Sequence, residues 1–248
     1  MAEIALAPEI ITNVGNIKIT NTLLATILVD TVLVSFVFAI SSHLKPIPGR
    51  LQSIAESAVS YFYETTKSIA GKFTDPIYPW FASFFIFIFA TNILALLPGF
   101  NSVGFFSEVN GHEVFTPLLR AGTSDFNLTF GLAVTSLVIT HYLAIKYNGI
   151  WDYLKRFFSL NPIFLFVGIL EIVSEFTKII SLSFRLFGNV YAGEVVLHTI
   201  SSLFAFVAPI PFLLLESIVA LVQALVFSML TMVFMTILIK PHAEGGDH

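Results

Sequence analysis

Long apolar stretches are the feature that most restricts how this chain can fold. A helix that crosses a bilayer core of about 30 Å needs about 20 mostly apolar residues. Three segments of this kind are residues 22–42, 77–97 and 126–146. Residues 162–240 are apolar almost throughout, and Pro209 and Pro211 divide them into two helices, because proline is tolerated in a first turn and breaks a helix interior. We therefore predict an all-α membrane protein with five transmembrane helices in a single domain, residues 1–248.

Composition supports lipid as the solvent and excludes several classes of protein. Of the 248 residues, 56% are hydrophobic and only 11% are charged, against about 25% charged in an average soluble domain. The net charge of −4 without a basic run argues against a nucleic-acid partner. Without cysteine there is no disulfide, thiolate metal site or Cys nucleophile, and we expect no cofactor. The first 20 residues lack the order of a signal peptide, so we expect the first apolar segment to be retained.

Two segments between the apolar stretches have an amphipathic pattern. Residues 48–72 alternate polar and apolar groups at three- and four-residue spacing, which predicts a helix that lies on the membrane surface. Residues 151–160 are similar. Eight of the Lys and Arg residues beside the apolar segments fall on one side of the membrane and two on the other, Lys18 and Arg120. Because the basic side faces the cytoplasm, we predict an outer N-terminal segment (residues 1–20) and a cytoplasmic C-terminus.

The most informative residues are charged groups inside the last two apolar segments. They are Glu171, Glu175, Lys178, Arg185, Glu194 and Glu216, with His198 nearby. Each charge at the centre of a membrane helix costs about 2.5–3.5 kcal/mol even on the most lenient scale. Ion handling is the default hypothesis for such a group. Internal salt bridges that hold the helices together are the alternative, and Glu175 with Lys178 is the pair for which it is strongest.

Helical geometry separates these groups into two surfaces. At about 100° per residue, one stripe about 80° wide holds Glu171, Glu175, Lys178, Arg185 and Asn189. Glu194 and His198 lie about 140–180° away from Glu171. The first surface belongs to the cytoplasmic half of the helix and the second to the outer half. This arrangement is expected for two offset aqueous half-channels.

Arg185 differs from the other charges because no acidic residue lies three or four positions from it. Its counter-charge must come from another helix or another subunit. Since arginine keeps its proton in proteins, Arg185 can act only as an electrostatic gate against a mobile carboxylate. An upright helix from Pro162 would lift it about 35 Å, beyond the bilayer core, so both helices of residues 162–240 must be strongly tilted.

Three more polar residues are candidates on neighbouring helices. Glu216 and Gln223 share one face of the last helix, being seven residues apart. Glu216 could form one outer site with Glu194 and His198, while Gln223 could instead only cross-link helices. Asp30 lies in the first apolar segment and could line the outer channel. The other histidines, among them His141, are expected at interfaces or in loops.

The sequence resembles a known family at several of these positions. Residues 183–194, SFRLFGNVYAGE, are similar to the core motif of subunit a of F-type ATP synthases. Further similarities are residues 49–52 with Glu56, residues 92–99, Asp125 with Asn127 and Thr129, and residues 216–223. Together they extend over about residues 25 to 240.

The resemblance implies a function and a set of roles. Arg185 would be the essential arginine that faces the rotor ring of c subunits, with Asn189 and Gln223 positioning it. Glu194 and Glu216 would line the outer half-channel and Glu171 the cytoplasmic one. Some members of the family have histidine at the position of Glu216. His198 matches no motif position and rests on spacing alone.

The same resemblance implies the partners and the location. The c ring, a b-subunit stator, lipid and, indirectly, the soluble F1 head would be partners of a bacterial plasma-membrane subunit without a catalytic site. Whether H⁺ or Na⁺ is carried depends largely on the ring, and an organellar homologue is an alternative. A secondary transporter would show paired halves, and an intramembrane hydrolase a nucleophile with a base or a metal motif. Neither pattern is present in the sequence.

Overall fold

A computed structural model describes residues 8–14, 17–42, 45, 49–97, 99–100, 103–109, 112–157, 162–203 and 207–240. Most of these residues are helical. The α-helices are α1 (Asn21–Ser41), α2 (Arg50–Ala70), α3 (Thr74–Ala95), α4 (Phe126–Asn148), α5 (Ile150–Phe157), α6 (Pro162–Leu203) and α7 (Pro209–Ile239). Two antiparallel hairpins precede α1 and α4. They are formed by β1 (Ile10–Val14) with β2 (Ile17–Thr20), and by β3 (Gly104–Val109) with β4 (His112–Pro117). The all-α class is confirmed, and the hairpins are additions that the sequence analysis did not predict.

Local sequence signals explain where the helices begin. The Thr20 side chain accepts a hydrogen bond from the backbone N–H of Leu23 at 3.3 Å and caps α1. Asp125 caps α4 in the same way, accepting from the Asn127 N–H at 2.9 Å. Both side chains satisfy a backbone donor that has no partner within the helix. Pro209 occupies the first turn of α7, the position where proline is tolerated.

The predicted transmembrane segments correspond to long helices. Among the described residues, four helical stretches are long and apolar enough to cross a membrane: Asn21–Ser41, Gln52–Ala95, Phe126–Asn148 and Pro209–Ile239. The second of these joins α2 and α3 through a short 3₁₀ turn. Helix α6 is the longest, with 42 residues, but it contains the charged residues identified above. A count of five transmembrane helices and a surface position for α2 therefore remain predictions.

The lengths of α6 and α7 restrict how they can lie in a bilayer. At about 1.5 Å per residue, the 42 residues of α6 span about 63 Å and the 31 residues of α7 about 46 Å. Both exceed a hydrocarbon core of about 30 Å. Helices longer than the core tilt or bend to keep their apolar length within it. Strong tilt is thus required for both helices if they lie within the core.

The apolar core lies where α3 packs against α7 and where α4 packs against α6 and α7. Its fully buried side chains include Ile77, Phe81, Ile88, Leu186, Met232, Met235 and Ile239. Small and hydroxyl-bearing residues allow α4 and α7 to approach, as shown by Ser136 Oγ and Thr231 Oγ1, which are 2.8 Å apart. Close approach through small residues is typical of membrane helices, where no water drives the helices together.

A buried polar network fixes the segment that precedes α4. Thr22 on α1 donates from Oγ1 to Oδ2 of Asp125 at 3.0 Å, and Asn21 Nδ2 donates to the carbonyl oxygen of Pro117 at 3.3 Å. Thr123 donates to Asn92 on α3. The segment between β4 and α4 is therefore bonded to two helices. This anchoring determines the position of Arg120, which lies within the segment.

The α3–α7 contact supplies a matched test of the core. Ile88 is 0% exposed and Ile86, two residues earlier on α3, is 44% exposed. We predict that Ile88→Ala lowers the free energy of unfolding by about 2–5 kcal/mol, because it leaves a cavity. Ile86→Ala is expected to change it by less than about 0.5 kcal/mol. Thermal denaturation of the two purified variants in detergent measures the difference, and equal losses would contradict the packing.

Candidate functional site

The polar residues of α6 lie on different sides of the helix. Arg185 and Asn189 are exposed, while Glu175 is buried. Glu194 comes nine residues after Arg185, about two and a half turns at about 100° per residue, so it lies on the opposite side of the helix. Its carboxylate is turned toward the segment that precedes α4. Helix α6 therefore presents its arginine outward and its two flanking acids toward the rest of the protein.

Glu194 is paired with Arg120. Arg120 Nε donates to both carboxylate oxygens of Glu194 at 3.2 Å, and Nη2 donates to Oε2 at 3.2 Å. The Arg120 side chain is 3% exposed and that of Glu194 is 17% exposed. A planar guanidinium that contacts both oxygens of a carboxylate is the strongest form of this pair. The ion pair joins α6 to the anchored segment before α4.

Glu9 lies beside this pair, and Glu216 lies against Gly193, the residue before Glu194. The pKa of the Glu9 carboxyl is raised above its ordinary value, mainly because the group is buried. Nearby Arg120 opposes this rise, and Glu194 adds to it. Asn21 Nδ2 donates to Oε2 of Glu9 at 3.4 Å. On the other side, a Cβ at Gly193 would collide with the Glu216 carboxylate, so the missing side chain makes room for it. Glu9, Arg120, Glu194 and Glu216 are named the Arg120 cluster.

A second group lies near the start of α6. Lys178 Nζ donates to Oε1 of Glu175 at 2.7 Å and lies 4.7 Å from the centre of the Phe234 ring on α7. Nε2 of His141, on α4, is 3.8 Å from Oε2 of Glu175. The hydroxyl of Tyr153, on α5, lies 2.9 Å from Nδ1 of His141. His141, Tyr153, Glu175 and Lys178 are named the Glu175 cluster.

Arg185 lies between the two clusters along α6. At about 1.5 Å per residue, it is about 15 Å from the level of Glu175 and about 13 Å from that of Glu194. Its Nη2 donates to Oγ of Ser181 at 3.4 Å. Within the part of the chain that the structure describes, Arg185 has no acidic partner.

The side chains beside Arg185 on its own face of α6 are polar. Ser181 and Asn189, each four residues away, are both exposed. The exposed apolar side chains of this part of α6, Val173, Phe176, Ile180 and Phe184, lie about 100–180° around the helix from Arg185. A lone guanidinium is costly in lipid unless it faces a partner or water.

Gln223 is brought to the level of Arg185 by helix pairing. Gly193 of α6 lies beside Glu216 of α7, and the two helices run in opposite directions after a short connection. The position seven residues after Glu216 on α7 is therefore at about the same height as the position seven residues before Gly193 on α6. Gln223 is therefore at about the level of Leu186, next to Arg185.

The structure leaves other sequence candidates apart from these clusters. His198 is exposed and makes no hydrogen bond to Glu194 or Glu216 among the described residues. Asp30 is exposed on α1. Glu171 is partly exposed, one turn before Glu175 on α6. A shared outer site of Glu194, Glu216 and His198 stays a prediction.

Four residues of the clusters, Glu9, Arg120, His141 and Tyr153, were not singled out as site residues from the sequence. Arg120 was treated only as a basic residue beside a span, although its position in the otherwise uncharged run after β4 marked it as unusual. His141 was expected at an interface, but it contacts the buried Glu175. Both pairings join residues far apart in sequence, which spacing cannot reveal.

Comparison with known proteins identifies a family. The sequence profile described as ATP synthase A chain matches residues 22–236. The ATP synthase subunit a of Moorella thermoacetica is 29% identical over 235 residues, covering 95% of this chain and 98% of the relative. That of Geotalea uraniireducens is 32% identical over 195 residues, covering 77% and 75%. That of Legionella pneumophila (strain Paris) is 28% identical over 233 residues, covering 93% and 91%.

The Arg120–Glu194 pair predicts a measurable coupling. Arg120→Ala leaves a largely buried carboxylate without its cation, so we expect a loss of up to about 3–5 kcal/mol of stability. Glu194→Ala is expected to be destabilising as well. The double variant should lose less than the sum, with a coupling energy of about 0.5–3 kcal/mol. Arg50→Ala, at an exposed position on α2, is the control and should change stability by less than about 0.5 kcal/mol. Thermal denaturation of the four variants measures the cycle, and strictly additive losses would contradict the pairing.

Proposed function

The chain belongs to the ATP synthase A chain family, and we propose that it is the ion-translocating stator subunit of an F-type ATP synthase. It provides two offset half-channels to a rotating ring of c subunits and so couples ion flow to ATP synthesis. The chain contributes no catalytic site of its own, since the soluble F1 head carries out the synthesis. Its partners are the c ring, a b-subunit stator and the surrounding lipid.

The single observation that carries this proposal is the environment of Arg185. The guanidinium is exposed on α6 and has no acidic partner among the described residues. A ring carboxylate that passes Arg185 supplies the missing counter-charge. Because Arg185 stays protonated, it favours the ionised form of that carboxylate and prevents a continuous file of cations from passing. Asn189 and Gln223 flank it and position it.

The Arg120 cluster supports an outer half-channel. It contains three carboxylates and one guanidinium, so its net charge attracts cations to the mouth of the channel. Glu194 and Glu216 line the path from this mouth toward Arg185. His198 and Asp30 are exposed nearer the outer end of their helices and contribute to entry.

The Glu175 cluster supports a cytoplasmic half-channel. Glu171 and Glu175 lie one turn apart on α6, about 20 Å and 15 Å from Arg185 along the helix axis. Lys178 balances part of their charge through its 2.7 Å contact with Glu175. The two half-channels thus approach Arg185 from opposite ends of α6 and do not join.

Ion transfer then proceeds through the ring. A cation from the outer half-channel neutralises a ring carboxylate, which can enter lipid because a neutral group avoids the cost of a buried charge. After nearly a full rotation the carboxylate reaches the cytoplasmic half-channel and releases the ion. Arg185 disfavours the return of a protonated ring carboxylate past it, so the ring rotates in one direction and generates torque.

The orientation follows from the charges beside the helices. The N-terminal hairpin, Arg120 and the end of α6 near Leu203 are placed outside, and the basic loops are placed in the cytoplasm of a bacterial cell. The proposed coupling ion is H⁺. Ring chemistry makes the final selection.

Arg185→Ala in the assembled complex tests this proposal. Inverted membrane vesicles report ATP-driven ion pumping and passive ion leak. We expect pumping to fall to the background level and the passive leak to rise, because the barrier between the half-channels is removed. Arg50→Ala, an exposed arginine outside the proposed paths, is the control and should pump like the unmodified complex. Pumping by a fully assembled Arg185→Ala complex at the unmodified rate would reject the mechanism.

A further inference from the structure

Glu175 is unusual among the acidic residues because one of its oxygens is buried without a hydrogen-bond partner. Glu175 is 6% exposed, and Oε2 has no hydrogen bond in the structure, whereas Oε1 is held by Lys178. A buried polar atom of this kind costs about 1–3 kcal/mol and needs an explanation. The free oxygen faces His141, whose Nε2 is 3.8 Å away.

Oε2 of Glu175 lies where a proton can be delivered to it. Glu175 and Lys178 line a small pocket together with Ser136 and Thr140 of α4 and Phe234 of α7. The His141 side chain is 21% exposed and that of Glu175 is 8% exposed. Water can therefore reach the imidazole more readily than the carboxylate.

Tyr153 determines how His141 presents its ring. The Tyr153 hydroxyl is 2.9 Å from Nδ1 of His141, and the two rings meet edge to face. When Nδ1 carries the hydrogen, the hydroxyl oxygen accepts it and Nε2 is left with its lone pair toward Glu175. A hydrogen bond on one ring nitrogen fixes what the other can do. Helix α5, which carries Tyr153, follows α4 after a turn at Gly149, where φ is +82° and glycine is favoured.

We propose that His141 and Glu175 form the proton-exchange pair of the cytoplasmic half-channel, with Tyr153 as a positioning residue. This inference rests on the proposed function and identifies where that half-channel exchanges protons. During ATP-driven pumping, Nε2 of neutral His141 takes a proton from water. The resulting imidazolium closes the 3.8 Å gap to hydrogen-bond distance and transfers that proton to Oε2 of Glu175. Neutral His141 and a protonated Glu175 carboxyl result, and Glu175 then supplies the proton toward the ring; in synthesis the steps run in reverse.

The other ionisable groups around the pair leave this assignment intact. On α6 they are Lys178, bound to Oε1, and Glu171, one turn away; on α5 Asp152 precedes Tyr153, and Lys155 and Arg156 follow it. Lys146 lies on α4 itself, and α7 carries no ionisable residue except Glu216 in the Arg120 cluster. Lys178 holds Oε1 of Glu175, and the imidazole of His141 lies 3.8 Å from Oε2.

The test is the dependence of pumping on cytoplasmic pH. In inverted vesicles the medium bathes the cytoplasmic face, so its pH sets proton supply to His141. The pumping rate of the assembled complex is recorded between about pH 5 and 8, where an imidazole exchanges protons. This rate is divided by the rate of ATP hydrolysis in uncoupled vesicles to give a relative pumping rate. His141→Gln keeps an N–H donor of similar size. We expect the relative pumping rate of this variant to fall about tenfold at the alkaline end and to approach the unmodified rate at the acidic end. The tenfold loss is smaller than the roughly 10²–10⁴-fold loss expected if this proton transfer fully limited the rate.

Tyr153→Phe keeps the ring and removes the hydroxyl. We expect the same alkaline loss to a smaller extent, since His141 remains but its tautomer is no longer fixed. Tyr142→Phe is the matched control, because Tyr142 is 59% exposed on α4 beside His141 and lies outside the pair. Its profile should match that of the unmodified complex.

The outcomes separate this inference from the proposed function. An equal loss at every pH in His141→Gln, or no loss at all, would overturn the exchange pair and leave His141 a structural residue. Arg185→Ala, measured in the same vesicles, should abolish pumping at every pH. If Arg185→Ala instead pumped normally, the proposed function itself would fail, whatever the His141 profile.

Discussion

An ionised side chain within an apolar bundle needs a counter-charge, and this requirement organises α6. Glu175 is held by Lys178 and Glu194 by Arg120, so each acid is matched inside the chain. Arg185, exposed between them, is not matched by any described residue. A bilayer penalises such a charge by several kcal/mol. Under the proposed function, the unmatched arginine is the group that meets a carboxylate of the c ring.

The two matched acids also define the shape of the protein around α6. Arg120 can reach Glu194 because hydrogen bonds to α1 and α3 hold the segment before α4 in place. Likewise, the turn at Gly149 returns α5 toward α4 and brings Tyr153 to His141. Loops and short helices that contribute no transmembrane length thus position the polar groups at both ends of the long helix.

The sequence predicted the helices better than the site. Apolar length and proline positions located α1, α3, α4, α6 and α7 to within a few residues, because a bilayer sets the length of a helix. Periodicity along α6 set Glu194 apart from Arg185, but it put Glu175 on the same stripe as Arg185, whereas Glu175 is buried and Arg185 is exposed. It could not pair Glu194 with Arg120 or Glu175 with His141, since these contacts depend on how separate helices pack. The two hairpins were also missed, because short strands outside the apolar segments lack a comparable length signal.

The central claim is that two polar paths approach Arg185 from opposite sides of the membrane. The chain contains no cysteine, so Glu216→Cys and Glu171→Cys each introduce a single thiol beside one path. A membrane-impermeant thiol reagent can be added to right-side-out or inverted vesicles that contain the assembled complex. The account predicts labelling of position 216 only in right-side-out vesicles and of position 171 only in inverted ones. Labelling of both positions from the same side would contradict it.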